Sequence, residues 1–153
     1  MIIVLMGYFI ILVDTSLVFT CSKEISSSLH MNPSSAAWIS NAYALTFGSL
    51  LLLGGKLGDI FGRRRLFILG LMIFGISSTL VGLSPTATLL IIFRALHGIG
   101  AAIIAPATLA IIMDSFTGNN RVVAISMYGA VSGIGVSLGL IIGAGITTLL
   151  SWR

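Results

Sequence analysis

Five apolar runs of about twenty residues, a charged share of only 8% and 18 glycines predict an all-α fold: a polytopic membrane helix bundle with five transmembrane helices. A typical globular domain carries about 25% charged residues. A soluble chain of 153 residues has too little polar surface to cover a composition that is 57% hydrophobic. A soluble enzyme, a disordered chain and a nucleic-acid binder are thereby excluded. Eight basic and four acidic residues give a formal charge of +4, and in a membrane chain such charges set orientation. Cys21 is the one cysteine, so no internal disulfide can form and no cysteine metal site is expected.

The first run covers residues 1–20 and is broken only by Asp14. It has no basic leader and no small-x-small cleavage pattern, so it reads as a span rather than a removed signal. Residues 21–33 are polar, and Ser26-Ser27-Ser28 within them reads as a solvated loop. Pro33 and Ser34 open the second run, residues 35–55. Residues 56–65 are the most charged stretch of the chain. The third run, residues 66–83, ends in the turn Ser84-Pro85-Thr86. The fourth, residues 87–113, contains Arg94, His97 and Pro106; the proline removes a ladder donor and predicts a kink. Residues 114–121 form a polar break around Gly118-Asn119-Asn120, and the fifth run covers residues 122–150.

Basic residues assign the orientation. Lys56, Arg63, Arg64, Arg65 and Arg121 fall on one side of such a bundle, and Lys23 and Arg153 on the other. The richer side is expected in the cytoplasm, which places the N-terminus inside the cell membrane and Arg153 outside.

Asp14 and Arg94 are the ionisable side chains deep within apolar runs. Each costs about 2.5–3.5 kcal/mol at the centre of a span, so each should face the bundle interior and seek a partner. Counted from the outer ends of their runs, both lie about 9–10 Å below the outer surface, at a rise of about 1.5 Å per residue. Opposite charges at matched depth can pair if spans one and four are neighbours. Burial favours a protonated carboxyl and a nearby cation favours a carboxylate, so small rearrangements would switch Asp14. That is the minimal part of a proton-coupled carrier; the other reading is a static pair that fixes helix register. His97, one turn after Arg94, is either a proton relay or a neutral hydrogen-bonding residue. Neither histidine joins a carboxylate cluster at metal-ligand spacing, and no cofactor is expected. In span five, Gly135, Gly139 and Gly143 recur every four residues, which lets helix backbones approach closely.

Gly55-Lys56-Leu57-Gly58-Asp59-Ile60-Phe61-Gly62-Arg63-Arg64-Arg65 closely resembles motif A of the major facilitator superfamily. Gly55, Leu57, Asp59, Gly62, Arg63 and Arg64 hold its pattern positions. Gly58 and Gly62 would permit the tight turn. Leu12-Val13-Asp14-Thr15 resembles the acidic first-span motif of the fourteen-span drug:proton antiporters, and Trp38-Ile39-Ser40-Asn41-Ala42-Tyr43-Ala44-Leu45 resembles their second span. Arg94-Ala95-Leu96-His97-Gly98-Ile99-Gly100-Ala101-Ala102 resembles motif B, and Ser151-Trp152-Arg153 the stretch after span five. Three features depart from the pattern: His97 stands where glutamine is usual, Ile60 stands where a basic residue is common, and Gly139-Leu140-Ile141-Ile142-Gly143-Ala144 lacks the proline of the span-five antiporter motif.

The resemblance covers the whole chain and implies an incomplete N-terminal domain of a multidrug efflux protein, exporting amphipathic small molecules against protons. Asp14 and Arg94 would be its coupling pair and motif A its conformational element. The lipid bilayer, protons, substrate and a second transporter half would be its partners. A metabolite facilitator, or a non-transporting remnant or assembly partner, are the alternatives. Asp59 would normally face the opposite half, and no residue of this chain is expected to answer it.

Overall fold

The computed structural model describes residues 1–149 as five long helices. They are α1 (Ile2–Ser28), α2 (Pro33–Phe61), α3 (Arg63–Gly82), α4 (Ala87–Ser115) and α5 (Gly118–Leu149). The closing Ser151-Trp152-Arg153 stretch, and with it Arg153 of the orientation argument, lies outside the described residues. All five helices are long and apolar enough to cross a membrane.

The connections are shorter than the polar stretches suggest. The serine cluster read as a loop is the last turn of α1. There the Ser27 and Ser28 hydroxyls donate to the carbonyls of Glu24 and Ile25, at 2.9 and 3.1 Å, as Ser22 earlier in the helix does to Phe19 at 2.8 Å. With their hydroxyls bonded back to the helix, these small polar residues continue α1 past the apolar run. Asn32 caps α2, its side chain accepting from the Ser35 N–H at 2.7 Å, with Pro33 at the first helical position. The charged stretch 56–65 is almost wholly helical, interrupted at Gly62, whose φ of 92° is open to glycine at little cost. Gly58 is a buried helical residue of α2, so of the two expected turn glycines only Gly62 makes the turn. Asp114 likewise belongs to α4, and residues 116–117 alone separate α4 from α5. Helix α4 runs on through Pro106.

Packing places α4 at the centre. It is held by α2 on one side and α3 on another, while α1 pairs with α5 and also touches α4. The α1–α5 seam is built on Gly135, Gly139 and Gly143, which face Leu12, Val13 with Ser16, and Thr20. A Cβ at Gly139 would sit 2.6 Å from the Val13 carbonyl oxygen, so the two backbones approach as only glycine allows.

Polarity is inverted relative to a soluble protein. Leu52 is 86% exposed and Ile3 76%, whereas Arg94 is 2% exposed and His97 1%. Such a surface is stable against hydrocarbon and not against water. The chain is a multi-pass membrane protein.

Candidate coupling site and cavity

Three helices bring the costly residues together. Asp14 on α1 and Arg94 on α4 form an ion pair, with Arg94 Nη1 3.7 Å from Asp14 Oδ2. His97, one turn along α4, places Nδ1 3.5 Å from the same oxygen. From α3 the Ser78 hydroxyl donates to Asp14 Oδ1 at 3.0 Å. Asp14 Oδ2 therefore has one charged neighbour, Arg94, at ion-pair range, lies beside His97 Nδ1, and makes no hydrogen bond among the described residues. The carboxylate is tethered through one oxygen and loosely held through the other.

Arg94 is held independently of Asp14. Its Nε donates to the Ile39 carbonyl on α2 at 3.0 Å, and its Nη1 lies 3.0 Å from His97 Nδ1. Arginine can only donate, so His97 Nδ1 accepts and the ring proton is assigned to Nε2. The guanidinium carbon also lies 4.6 Å above the centre of the Tyr43 ring, within cation–π range. His97 meets Tyr43 edge-on at 5.8 Å between ring centres and Phe74 at 3.9 Å. Among the described residues no group of three or more His, Cys, Asp or Glu could hold a metal ion.

Tyr43 closes one side of this polar cluster and opens onto a different space. A hydrogen bond of 3.1 Å joins its hydroxyl to that of Thr15, the neighbour of Asp14. Its ring lies on the wall of an apolar cavity of about 530 Å³ bounded by α1, α2, α4 and α5. Tyr8 and Tyr128 stack across the α1–α5 seam at 4.3 Å and line the same cavity, as do Phe47 and Pro106. Among the described residues no charged side chain lines it.

A second cluster sits at the end of the bundle where α2 turns into α3. Arg63 Nη2 and Nε contact Asp59 Oδ1 at 2.9 and 3.2 Å, and Nη1 donates to the Ala110 carbonyl at 3.0 Å and pairs with Asp114. Asp59 therefore has a partner within this chain, contrary to the expectation that none would answer it. The reason is local: Arg63 follows Asp59 by four residues across the Gly62 turn, and the bundle then brings Asp114 at the end of α4 to the same arginine. Arg64 is exposed, Leu57 is half-buried, and a Cβ on Gly55 would meet Pro106 at an ordinary 3.7 Å.

The sequence singled out Thr15, Ile39 and Tyr43 only as members of resembling stretches, with no role of their own, and assigned no part to Ser78 or Asp114. The polar run Ser77-Ser78-Thr79 inside an apolar span was a signal for Ser78. The Ile39 carbonyl had no signal, since every residue carries one.

The profile of the Major Facilitator Superfamily matches residues 4–153. The chain is 41% identical to the puromycin resistance protein pur8 of Streptomyces alboniger, covering 100% of this chain and 31% of that protein. It is 37% identical to the cephamycin export protein CmcT of Amycolatopsis lactamdurans, covering 96% of this chain and 30% of the relative. The multidrug transporter protein MdtP of Bacillus subtilis is 37% identical over 92% of this chain and 26% of its own length. The chain thus spans about a third or less of the relatives it matches. In fold it resembles a bacterial homologue of the human lysosomal transporter Spinster in an inward-facing, occupied conformation, with a TM-score of 0.83 at 21% identity over 95% of this chain and 32% of that one.

Proposed function

Because this chain belongs to the Major Facilitator Superfamily, we propose that its five helices serve in a proton-coupled exporter of amphipathic small molecules. The observation that carries the reading is the Asp14–Arg94 pair, held at 3.7 Å inside the bundle beside an apolar cavity. A carboxylate with one oxygen short of hydrogen bonds accepts a proton with little rearrangement of its neighbours. Once Asp14 is neutral, Arg94 keeps the Ile39 carbonyl, His97 Nδ1 and the Tyr43 ring as partners. Both protonation states are therefore supported, as a carrier of protons requires.

The cavity favours the substrate class that the relatives' names carry: puromycin, cephamycin and multiple drugs. Its aromatic walls and uncharged lining suit planar or amphipathic molecules, and they offer no counter-charge to an anionic metabolite. Arg63, joining Asp59 to the end of α4, is the latch in this reading, since a change in the α2–α3 turn would release it. The basic residues gathered at that end support a cytoplasmic position for it in the cell that bears the protein, with the N-terminus inside.

The test uses the full-length protein in proteoliposomes with an imposed proton gradient. Asp14→Asn is expected to abolish gradient-driven drug export while leaving the protein folded. Export that survives Asp14→Asn, or a wild type that ignores the gradient, overturns the proton-coupled reading. Competition by sugars or organic acids in place of drugs would assign the metabolite alternative.

A further inference from the structure

We propose that Tyr43 is the positioning residue through which substrate in the cavity and the proton on Asp14 sense each other. The inference rests on the proton-coupled export reading and adds the physical link that it lacks.

The cluster holding Asp14 and the cavity that would hold substrate are distinct spaces, and Asp14 does not line the cavity. Tyr43 lies between them and is buried. One face of its ring receives the Arg94 guanidinium at 4.6 Å, and the ring also borders the cavity. Its hydroxyl is tied at 3.1 Å to Thr15, one residue from Asp14 along α1. Phe47 continues the aromatic wall, its ring centre 5.8 Å from that of Tyr43 with the planes 3° apart.

The charged and titratable groups around Tyr43 define what it can read. They are Asp14 and Tyr8 on α1, and Arg94 and His97 on α4. From α3 the cluster receives the Ser78 hydroxyl, and from α5 the cavity receives the Tyr128 phenol. Arg94 is the one cation among these groups; it meets the Asp14 carboxylate, the Ile39 carbonyl, His97 Nδ1 and the Tyr43 π face, and of these four residues only Tyr43 also lines the cavity. Protonating Asp14 removes the first of these attractions and leaves the guanidinium resting on the other three, the Tyr43 face among them. A substrate pressing on the ring from the cavity then moves the surface on which that cation rests. The two ligands are coupled because both act on one ring, and by linkage the effect is reciprocal.

The test is substrate affinity at two pH values in the full-length protein. In the wild type, affinity at pH 8 and pH 6 is expected to differ by about fivefold or more, the lower range of typical coupling. Tyr43→Leu removes the π face and is expected to bring that ratio to within about twofold of one. Tyr43→Phe keeps the ring, loses only the Thr15 bond, and is expected to keep most of the ratio. A purely structural role would weaken binding equally at both pH values. If Tyr43→Leu keeps the wild-type ratio, Tyr43 is not the link and the proposal is overturned. Should Tyr43→Leu fail to fold, Tyr43→Phe and Tyr43→Trp carry the test: loss of the ratio in both, with the ring retained, overturns the proposal equally. A wild type whose affinity ignores pH overturns the export reading itself, and this inference with it.

Discussion

His97 shows how a single departure from a familiar pattern can be neutral in chemistry. Its Nδ1 accepts from Arg94, and the glutamine usual at this place would offer an amide oxygen that does the same. His97→Gln is therefore expected to keep proton-driven export within about threefold, whereas His97→Leu strands a buried Arg94 N–H at a cost of about 1–3 kcal/mol. Thermal unfolding and transport measured on both variants would check this. Loss of coupling in a stable His97→Gln protein would assign the ring a proton-carrying part instead. That Asp14 and Arg94 need partners was legible from their position in apolar runs. That Ser78 and the Ile39 carbonyl are among those partners was not: the polar Ser77-Ser78-Thr79 run marks a candidate without saying which helix it meets, and every residue carries a carbonyl.

Among the helices, the α1–α5 seam is the clearest case of sequence spacing turned into contact. Gly139 offers its bare face to the α1 backbone at Val13, whereas a Cβ added at Gly129 on the same helix would meet nothing within 4 Å. Gly139→Val forces rigid backbones apart and is expected to destabilise by about 1–3 kcal/mol. Gly129→Ala is expected to be tolerated. Thermal midpoints of the two purified variants in detergent would separate them; equal midpoints would mean that the seam yields. The four-residue glycine row was readable because helical period alone puts it on one face. Its partner helix was not, since any neighbour with small or flexible side chains would have satisfied the row. The serine cluster after residue 20 misled for a related reason: polarity marks the edge of the bilayer, whereas helix ends are set by caps and turns.

The whole molecule is organised by which end carries charge. Lys56, Arg64 and Arg65 lie beside the α2–α3 turn, and Arg63 ties that turn to Asp114 at the end of α4. Being partly exposed to solvent, this clamp contributes little to stability. Its use is to hold two helix ends in register. If that end is cytoplasmic, Arg64→Cys should react with a membrane-impermeant thiol reagent only after permeabilisation, and Lys23→Cys should react in intact cells, both in a Cys21→Ser background. The opposite pattern would invert the orientation.

Sequence by itself determined the all-α class, the five long apolar helices, the family resemblance, and the need for Asp14 and Arg94 to turn inward. Those are properties of single segments in a bilayer: run length, helical period, and the cost of one charge in hydrocarbon. Tertiary structure alone decided that Ser78 tethers Asp14, that Asp114 answers Arg63, and that Tyr43 stands between the ion pair and the cavity. Those are relations between helices far apart in the chain. They depend on how the helices pack against α4 and α1, and no local pattern encodes which of many compatible neighbours a side chain will meet.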